Sequence, residues 1–309
     1  LTDVTGVQTC ALPIYPPRMR PCFSGAFFIP PCRRESSPRM VPPMSTPAPT
    51  ILFFDLDGTL MRNPLETGVF PEVVRRLGGE MTGAEATVFH SEIIAEYHAR
   101  RTRNTLAPER QMDWDDIVAS VARRRGVEWR GSLTELVAEY CVAPHIEELD
   151  RAGEVLDVLA RAGHRRFVVS TLGLSRYQFP VLRALGLFGR FEDFLTPDRT
   201  GYLKNDPRFY GRYADSPPHA LRISIGDRYV DDVVNPKSLG FRSILKFPQC
   251  NGESVLPWER PAQLPACAHL LAGREERPVT VLPDAVIRSL DELPGTIAHF
   301  EALRARDGV

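Results

Sequence analysis

Apolar and polar positions along this chain follow two periods in turn. Residues 51–54 (ILFF) form an uninterrupted apolar run, the pattern of a strand covered on both faces, and Gly58 and Thr59 break it. Residues 67–142 read as wholly helical. "TGAEATVFHSEIIAEYHARR" opens with Thr82-x-x-Glu85 and "SLTELVAEYCV" with Ser132-x-x-Glu135, both capping-box patterns. Between them "DWDDIVASVARRRG" is amphipathic and ends at Gly126.

From Ile146 onward helices and strands alternate. "EELDRAGEVLDVLARAG" predicts a helix stopped by Gly163, "RFVVST" a strand, "SRYQFPVLRALG" a helix and "FEDFL" a short strand. "DPRFYGRYA" predicts a helix, "LRISIG" a strand, "RYVDDVVNPKSLG" a helix and "FRSILKF" a strand. Residues 248–280 are Pro-rich and irregular, before a last strand in "AVIRSL" and a last helix in "DELPGTIAHFEALRAR". Such alternation implies an α/β fold with a doubly wound parallel sheet. The helical block follows the first strand directly, so it is expected as an inserted lid. The expected domains are a Rossmann-like core over 44–66 and 143–309 and a helical cap over 67–142. No internal repeat is visible.

Residues 1–49 have neither period and are rich in Pro, Arg, Ser and Cys. "VTGVQTCALPI" (4–14) resembles the conceptual translation of a sequencing-library adaptor, so residues 1–43 are expected to be a disordered or artefactual extension, with Met44 as the start. A signal peptide fits less well: "CFSGAFFI" is short, ends in Pro-Pro and lacks a small-residue cleavage site.

Composition narrows the function classes. The 309 residues are 43% hydrophobic and 25% charged, with a net charge of −1, so no general attraction to nucleic acid or an anionic membrane is expected. No apolar stretch approaches the roughly 20 residues that span a bilayer. The six cysteines form no CxxC and read as reduced thiols of a cytoplasmic protein. Only three of the 38 basic residues are lysines (204, 237 and 246), which makes a lysine in a chemically suggestive place informative.

In doubly wound sheets ligands bind beyond the carboxyl ends of the strands. Asp55 and Asp57 project together there, because residues i and i+2 of a strand share a face. Two carboxylates that close are costly without a cation or a proton between them. "RFVVST" ends in Ser170 and Thr171, "LRISIG" leads into Asp227, and Asp231 and Asp232 follow one helical turn later. Lys204 sits in the loop "TGYLKNDP". Carboxylates without His or Cys partners favour a hard cation, Mg²⁺ foremost, and such a cation facing a lysine and a hydroxyl suits a phosphoryl group.

These segments resemble the haloacid dehalogenase superfamily over about residues 50–305: "DLDGTL" matches its first motif, "VVST" its second, Lys204 its third and "GDRYVDD" its fourth. The resemblance implies Asp55 as the nucleophile that becomes an aspartyl-phosphate, and Asp57 as the acid and base. It implies that Asp55, the Asp57 backbone carbonyl and Asp227 hold Mg²⁺, helped by Asp232. Ser170 and Lys204 would bind the phosphoryl oxygens, with Gly58, Thr59 and Thr171 beside them. Asn205 stands where the family usually has proline, and Thr171 where asparagine is frequent. Either Asp231 or Asp232 can serve; Asp232 is preferred, because "DVVNPKSLG" aligns better with the usual following helix.

Dehalogenases proper and phosphonatases replace the second aspartate, so Asp57 points to phosphate esters. A helical lid at this place resembles the family's C1 type, associated with small soluble phosphometabolites. The expected function is Mg²⁺-dependent hydrolysis of a small phosphorylated metabolite by a monomer or homodimer. The alternatives are a phosphosugar mutase or a non-catalytic phospho-ligand-binding homologue. His90, His98, His145 and His164 show no metal-ligand pairing, and "HARRTRNTLAPER" (98–110) reads first as a solvated basic face and second as a grip on an acidic substrate.

Overall fold

A computed structural model describes residues 49–78, 83–214, 220–250, 252, 254–272 and 279–306. The expected extension over 1–43, Met44 and the capping residue Thr82 lie outside the described residues. The elements below all belong to one unit, Thr46–Val309.

The strands are β1 (Thr50–Phe54), β2 (Met61–Arg62), β3 (Glu147–Glu148), β4 (Arg165–Ser170), β5 (Asp193–Leu195), β6 (Leu221–Gly226), β7 (Arg242–Lys246) and β8 (Ala285–Ile287). Six of them form one sheet in the order β5-β4-β1-β6-β7-β8, with every pairing parallel. The chain thus builds outward from β1 through β4 to β5, then returns to the other side of β1 and builds outward again from β6 to β8. Neighbouring parallel strands need crossovers, and these cover both faces. β1 is central: Leu52 pairs with Phe167 on one side and Ile223 on the other. Its alternate residues feed both layers, Leu52 and Phe54 in one core cluster and Ile51 and Phe53 in the opposite one. Phe53 is wholly buried, edge-on to Tyr210 and Tyr213 at 5.8 and 5.3 Å. Burial of such a side chain contributes about 1.5–3 kcal/mol.

Between β2 and β3 the chain runs through α1 (Phe70–Gly78), α2 (Gly83–Arg103), α3 (Pro108–Gln111), α4 (Trp114–Arg124) and α5 (Leu133–Glu139). This helical block packs Phe89, Ile93, Val118, Val121, Leu133 and Leu136 inward. Asp113 caps α4 by accepting from the backbone N–H of Asp115 and Asp116, and Ser132 caps α5 by accepting from Glu135, as its capping-box pattern predicts. The rest of the chain carries α6 (Ala152–Ala160), α7 (Ser175–Ala184), α8 (Pro197–Thr200), α9 (Asn235–Ser238), α10 (Ala268–Ala272) and α11 (Leu293–Arg306).

Three local expectations are corrected. The helix expected from Glu147 begins only at Ala152: Asp150 and Arg151 take φ of 48° and 53°, and Glu147–Glu148 instead pairs antiparallel with Met61–Arg62. The two chain crossings into the helical block therefore lie side by side. The segment Pro207–Tyr213 is 3₁₀-helical with a break at Gly211 (φ 49°, ψ −127°), a conformation that only glycine adopts readily. The segment Tyr229–Val234 is a π-helix that continues into α9.

Candidate active site

The carboxyl ends of β1, β4 and β6 meet where the chain order of the sheet reverses, the position at which open α/β sheets form a crevice. A cavity of about 580 Å³ opens there between the sheet and the helical block. Its walls include Asp55, Asp57, Gly58, Thr171, Lys204 and Asp227. The structure thus brings most of the expected site residues together. Ser170 and Thr59 are buried (2% and 0% exposed) and stand behind the wall rather than on it.

Asp55 directly follows β1, its backbone N–H donating to the Ile225 carbonyl at 2.8 Å. The Leu56 carbonyl then accepts from Thr59, Leu60 and Met61, which turns the chain and leaves Asp57 facing the cavity. Gly58 has φ of 80°, and a Cβ there would stand 2.4 Å from Asp227 Oδ2. Only glycine lets this turn come so close to the Asp227 carboxylate. Lys246 Nζ donates to the Thr59 carbonyl at 2.8 Å and pairs with Asp150, which fixes the turn from behind.

Lys204 is 2% exposed and donates to Asp55 Oδ1 at 2.9 Å and Asp232 Oδ1 at 2.7 Å. Burial works against its charge, but Asp232 and then Asp55 carry its pKa above the ordinary lysine value. Asp232 takes a second bond from the Arg228 backbone N–H at 2.9 Å, and a Cβ on Gly226 would lie 2.1 Å from its carboxyl group. Burial pushes the Asp232 carboxyl upward against the opposing pull of Lys204.

Asp55, Asp227 and Asp232 each offer a carboxylate oxygen, all within 4.8 Å of one another. Three carboxylates against one lysine ammonium leave an excess of negative charge, and an all-oxygen donor set fits a hard divalent cation. The neighbouring Asp231 accepts instead from Arg101 of α2, at 3.0 and 2.8 Å.

Asp57 differs from Asp55 in its surroundings. Burial and the Asp55 charge raise its pKa to about 7, against the lowering effects of Gln178, Asn63 and Arg228. Gln178 Nε2 donates to Asp57 Oδ2 at 2.6 Å. The Asp57 carboxyl is thus prepared to hold a proton near neutral pH.

Two residues outside the motif positions join the site. Gln178 reaches Asp57 from the first turn of α7, and Arg228 lines the cavity directly after Asp227. Nothing local in the sequence marks Gln178; Arg228 lies within "GDRYVDD" but is one arginine among many. The Arg-rich stretch 98–110 divides: Arg100 is buried on Glu96, Asp116 and Ser120 within the helical block, whereas Arg101 reaches Asp231.

A family model described as haloacid dehalogenase-like hydrolase matches residues 49–216, more than half of the chain. The chain is 24% identical over 195 residues to haloacid dehalogenase-like hydrolase domain-containing protein 3 of Danio rerio, covering 61% of this chain and 70% of that protein. It is 28% identical over 167 residues to the Homo sapiens protein of the same name, covering 51% and 65%. Among solved structures, the HAD-hydrolase YfnB of Bacillus subtilis bound to magnesium matches with a TM-score of 0.55 at 17% identity, over 81% of this chain and 99% of that one. A HAD phosphatase from Thermococcus onnurineus matches at 0.53 and 20%, over 80% and 97%. The L-2-haloacid dehalogenase of Xanthobacter autotrophicus with covalently bound chloropropionic acid matches at 0.53 and 16%, over 81% and 98%. These structural likenesses extend to the fold.

Proposed function

Since the chain belongs to the haloacid dehalogenase-like hydrolases, we propose that it is a Mg²⁺-dependent phosphomonoester hydrolase acting through an aspartyl-phosphate on Asp55. The observation that carries this reading is Asp57, which faces the same cavity as Asp55 with its carboxyl raised to about 7 and gripped by Gln178. A haloacid substrate loses halide, which needs no proton. An ester oxygen leaves as an alkoxide and does need one, and Asp57 is placed to give it.

Asp55, Asp227 and Asp232 are the residues that would hold Mg²⁺, with the Asp57 backbone carbonyl as a further ligand. The ion supplies neutralisation of phosphoryl charge beside the nucleophile. The Asp55 carboxylate attacks phosphorus while the ester P–O bond breaks, and the departing oxygen takes the Asp57 proton. Asp57, now a carboxylate, takes a proton from the water that attacks phosphorus; the Asp55–phosphorus bond breaks and inorganic phosphate forms. Lys204, held between Asp55 and Asp232, balances charge throughout, and Arg228 and Thr171, which line the same cavity, would meet the phosphoryl oxygens. The helical block acts as a cap that excludes water from the reacting atoms.

The test is release of inorganic phosphate from a panel of phosphate monoesters, with added Mg²⁺ and after exhaustive chelation. Release that depends on Mg²⁺ is expected. Release that survives chelation unchanged would remove the metal from the reading, and dehalogenation of 2-haloacids without any phosphate release would replace it.

A further inference from the structure

The cavity is larger than a phosphoryl group needs, and its far wall has a distinct chemistry. Phe70 begins α1, Ile94 and Tyr97 share one face of α2, Met112 follows α3, and Trp114 begins α4; all line the cavity. Trp114 stacks on Tyr97 with centroids 4.9 Å apart at 22° and meets the Phe70 ring edge-on at 5.1 Å and 70°. Tyr97 and Trp114 remain only half-buried, so apolar surface of a preassembled aromatic cluster faces the carboxylates across the cavity.

Several polar groups around the same cavity are already engaged within the protein, although Gln178 Oε1 keeps no hydrogen-bond partner. Asn63 Oδ1 accepts from the Leu65 N–H at 2.9 Å, and Gln178 Nε2 donates to Asp57. Tyr177 donates to Asp113 and Asp115, both at 3.0 Å, and Arg62 is paired with Glu147 at 2.6 Å. The aromatic side of the cavity offers a sugar or other polyol no hydroxyl partners beyond Tyr97 and Trp114, and each hydroxyl left unpaired there is a cost to binding. An aromatic group would instead find rings to stack on and a thioether beside them.

We propose that the substrate is a phosphate monoester of an apolar, planar alcohol, an aryl or arylmethyl phosphate in kind, and not a sugar or polyol phosphate. This rests on the phosphohydrolase reading for the placement of the phosphoryl group at Asp55. The aryl group seats against Tyr97 and Trp114, and Phe70 holds the Trp114 ring at its edge.

Binding and turnover separate the two readings. Calorimetry on the full chain with Mg²⁺ compares benzylphosphonate with 3,4-dihydroxybutylphosphonate, two non-hydrolysable anions that differ in the attached group. Turnover compares benzyl phosphate with glycerol 3-phosphate, both esters of primary alcohols, so leaving-group chemistry is closely matched. The aryl member is expected to be favoured roughly tenfold or more in Kd and in kcat/KM. Trp114→Ala should bring both ratios close to one, and Trp114→Phe should keep the preference; a ratio is independent of how much of a variant is folded. A binding preference for benzylphosphonate with no phosphate released from either ester would support this inference and remove the hydrolase reading. Phosphate release from both esters with no aryl preference, or a preference unchanged in Trp114→Ala, would overturn this inference and keep the hydrolase reading.

Discussion

Arg101 of α2 donates through one guanidinium nitrogen to both carboxylate oxygens of Asp231, at 3.0 and 2.8 Å, and this contact gives two adjacent aspartates different roles. Asp231 holds the helical block. Asp232, one residue on, holds Lys204 and belongs to the carboxylate cluster. The two side chains leave the π-helical turn differently, and Asp232, the one preferred from the sequence, is the one whose carboxylate lies close to those of Asp55 and Asp227.

The two positions should therefore fail differently. Asp232→Asn should weaken Mg²⁺ binding and lower turnover at least tenfold. Asp231→Asn should chiefly lower the melting temperature, because Arg101 loses a buried partner at a cost on the order of 1–3 kcal/mol. Calorimetric Mg²⁺ titration and thermal melting of both variants check this. Loss of metal affinity in Asp231→Asn with affinity kept in Asp232→Asn would reverse the assignment.

Asp55→Asn should abolish turnover of every ester, since an amide cannot act as the attacking carboxylate. Asp57→Asn keeps the nucleophile and loses the acid and base, an effect of about 10²–10⁴-fold. With p-nitrophenyl phosphate the departing phenolate needs little protonation, so rapid mixing should show a burst of nitrophenolate near one equivalent before a slow steady state. Mass spectrometry of the quenched protein should find the added phosphate on Asp55, and finding it elsewhere would end the proposed mechanism.

Gly58→Ala tests the close approach of the turn to Asp227. A side chain at φ of 80° costs roughly 1–2 kcal/mol, and its Cβ would also displace the Asp227 carboxylate from 2.4 Å away. The expected result is a folded protein with near-native circular dichroism but weakened Mg²⁺ binding and little activity. Full activity would show that Asp227 can move without consequence.

Lys204→Arg keeps the charge and should still be poor, losing ~10²-fold or more in kcat, because a planar guanidinium cannot replace a compact ammonium shared by Asp55 and Asp232. Steady-state kinetics at saturating Mg²⁺ decide it: near-native kcat would take Lys204 out of the site.

Much of this arrangement is legible along the chain. Residues 51–54 read as a doubly covered strand because every one of them is apolar, and the structure places that strand at the centre of the sheet. The strand-end residues Asp55, Thr171 and Asp227 could be picked out because strand ends on one side of a parallel sheet must converge. Contacts made across the fold were not legible. The pairing of Met61–Arg62 with Glu147–Glu148 joins segments separated by the whole helical block, and no local period in two residues announces it. Gln178 lies within an ordinary amphipathic helix, and its amide matters only because α7 carries it to Asp57. The rings of Phe70, Tyr97 and Trp114 come from three helices and form one surface only after those helices pack.

The scarcity of lysine gives the molecule an unusual profile toward amine-directed reagents. Its three lysines are all paired with aspartates: Lys204 with Asp55 and Asp232, Lys237 with Asp284, and Lys246 with Asp150. The Lys204 and Lys246 side chains are 2% and 4% exposed, and only Lys237, at 27%, offers its ammonium to solvent to any extent. A succinimidyl ester therefore meets a single accessible lysine on the folded chain. Slow acylation beyond that first lysine would report transient opening around two interior sites, one under the candidate nucleophile and one under the Gly58 turn, so the labelling pattern becomes a clock for the breathing of the site itself.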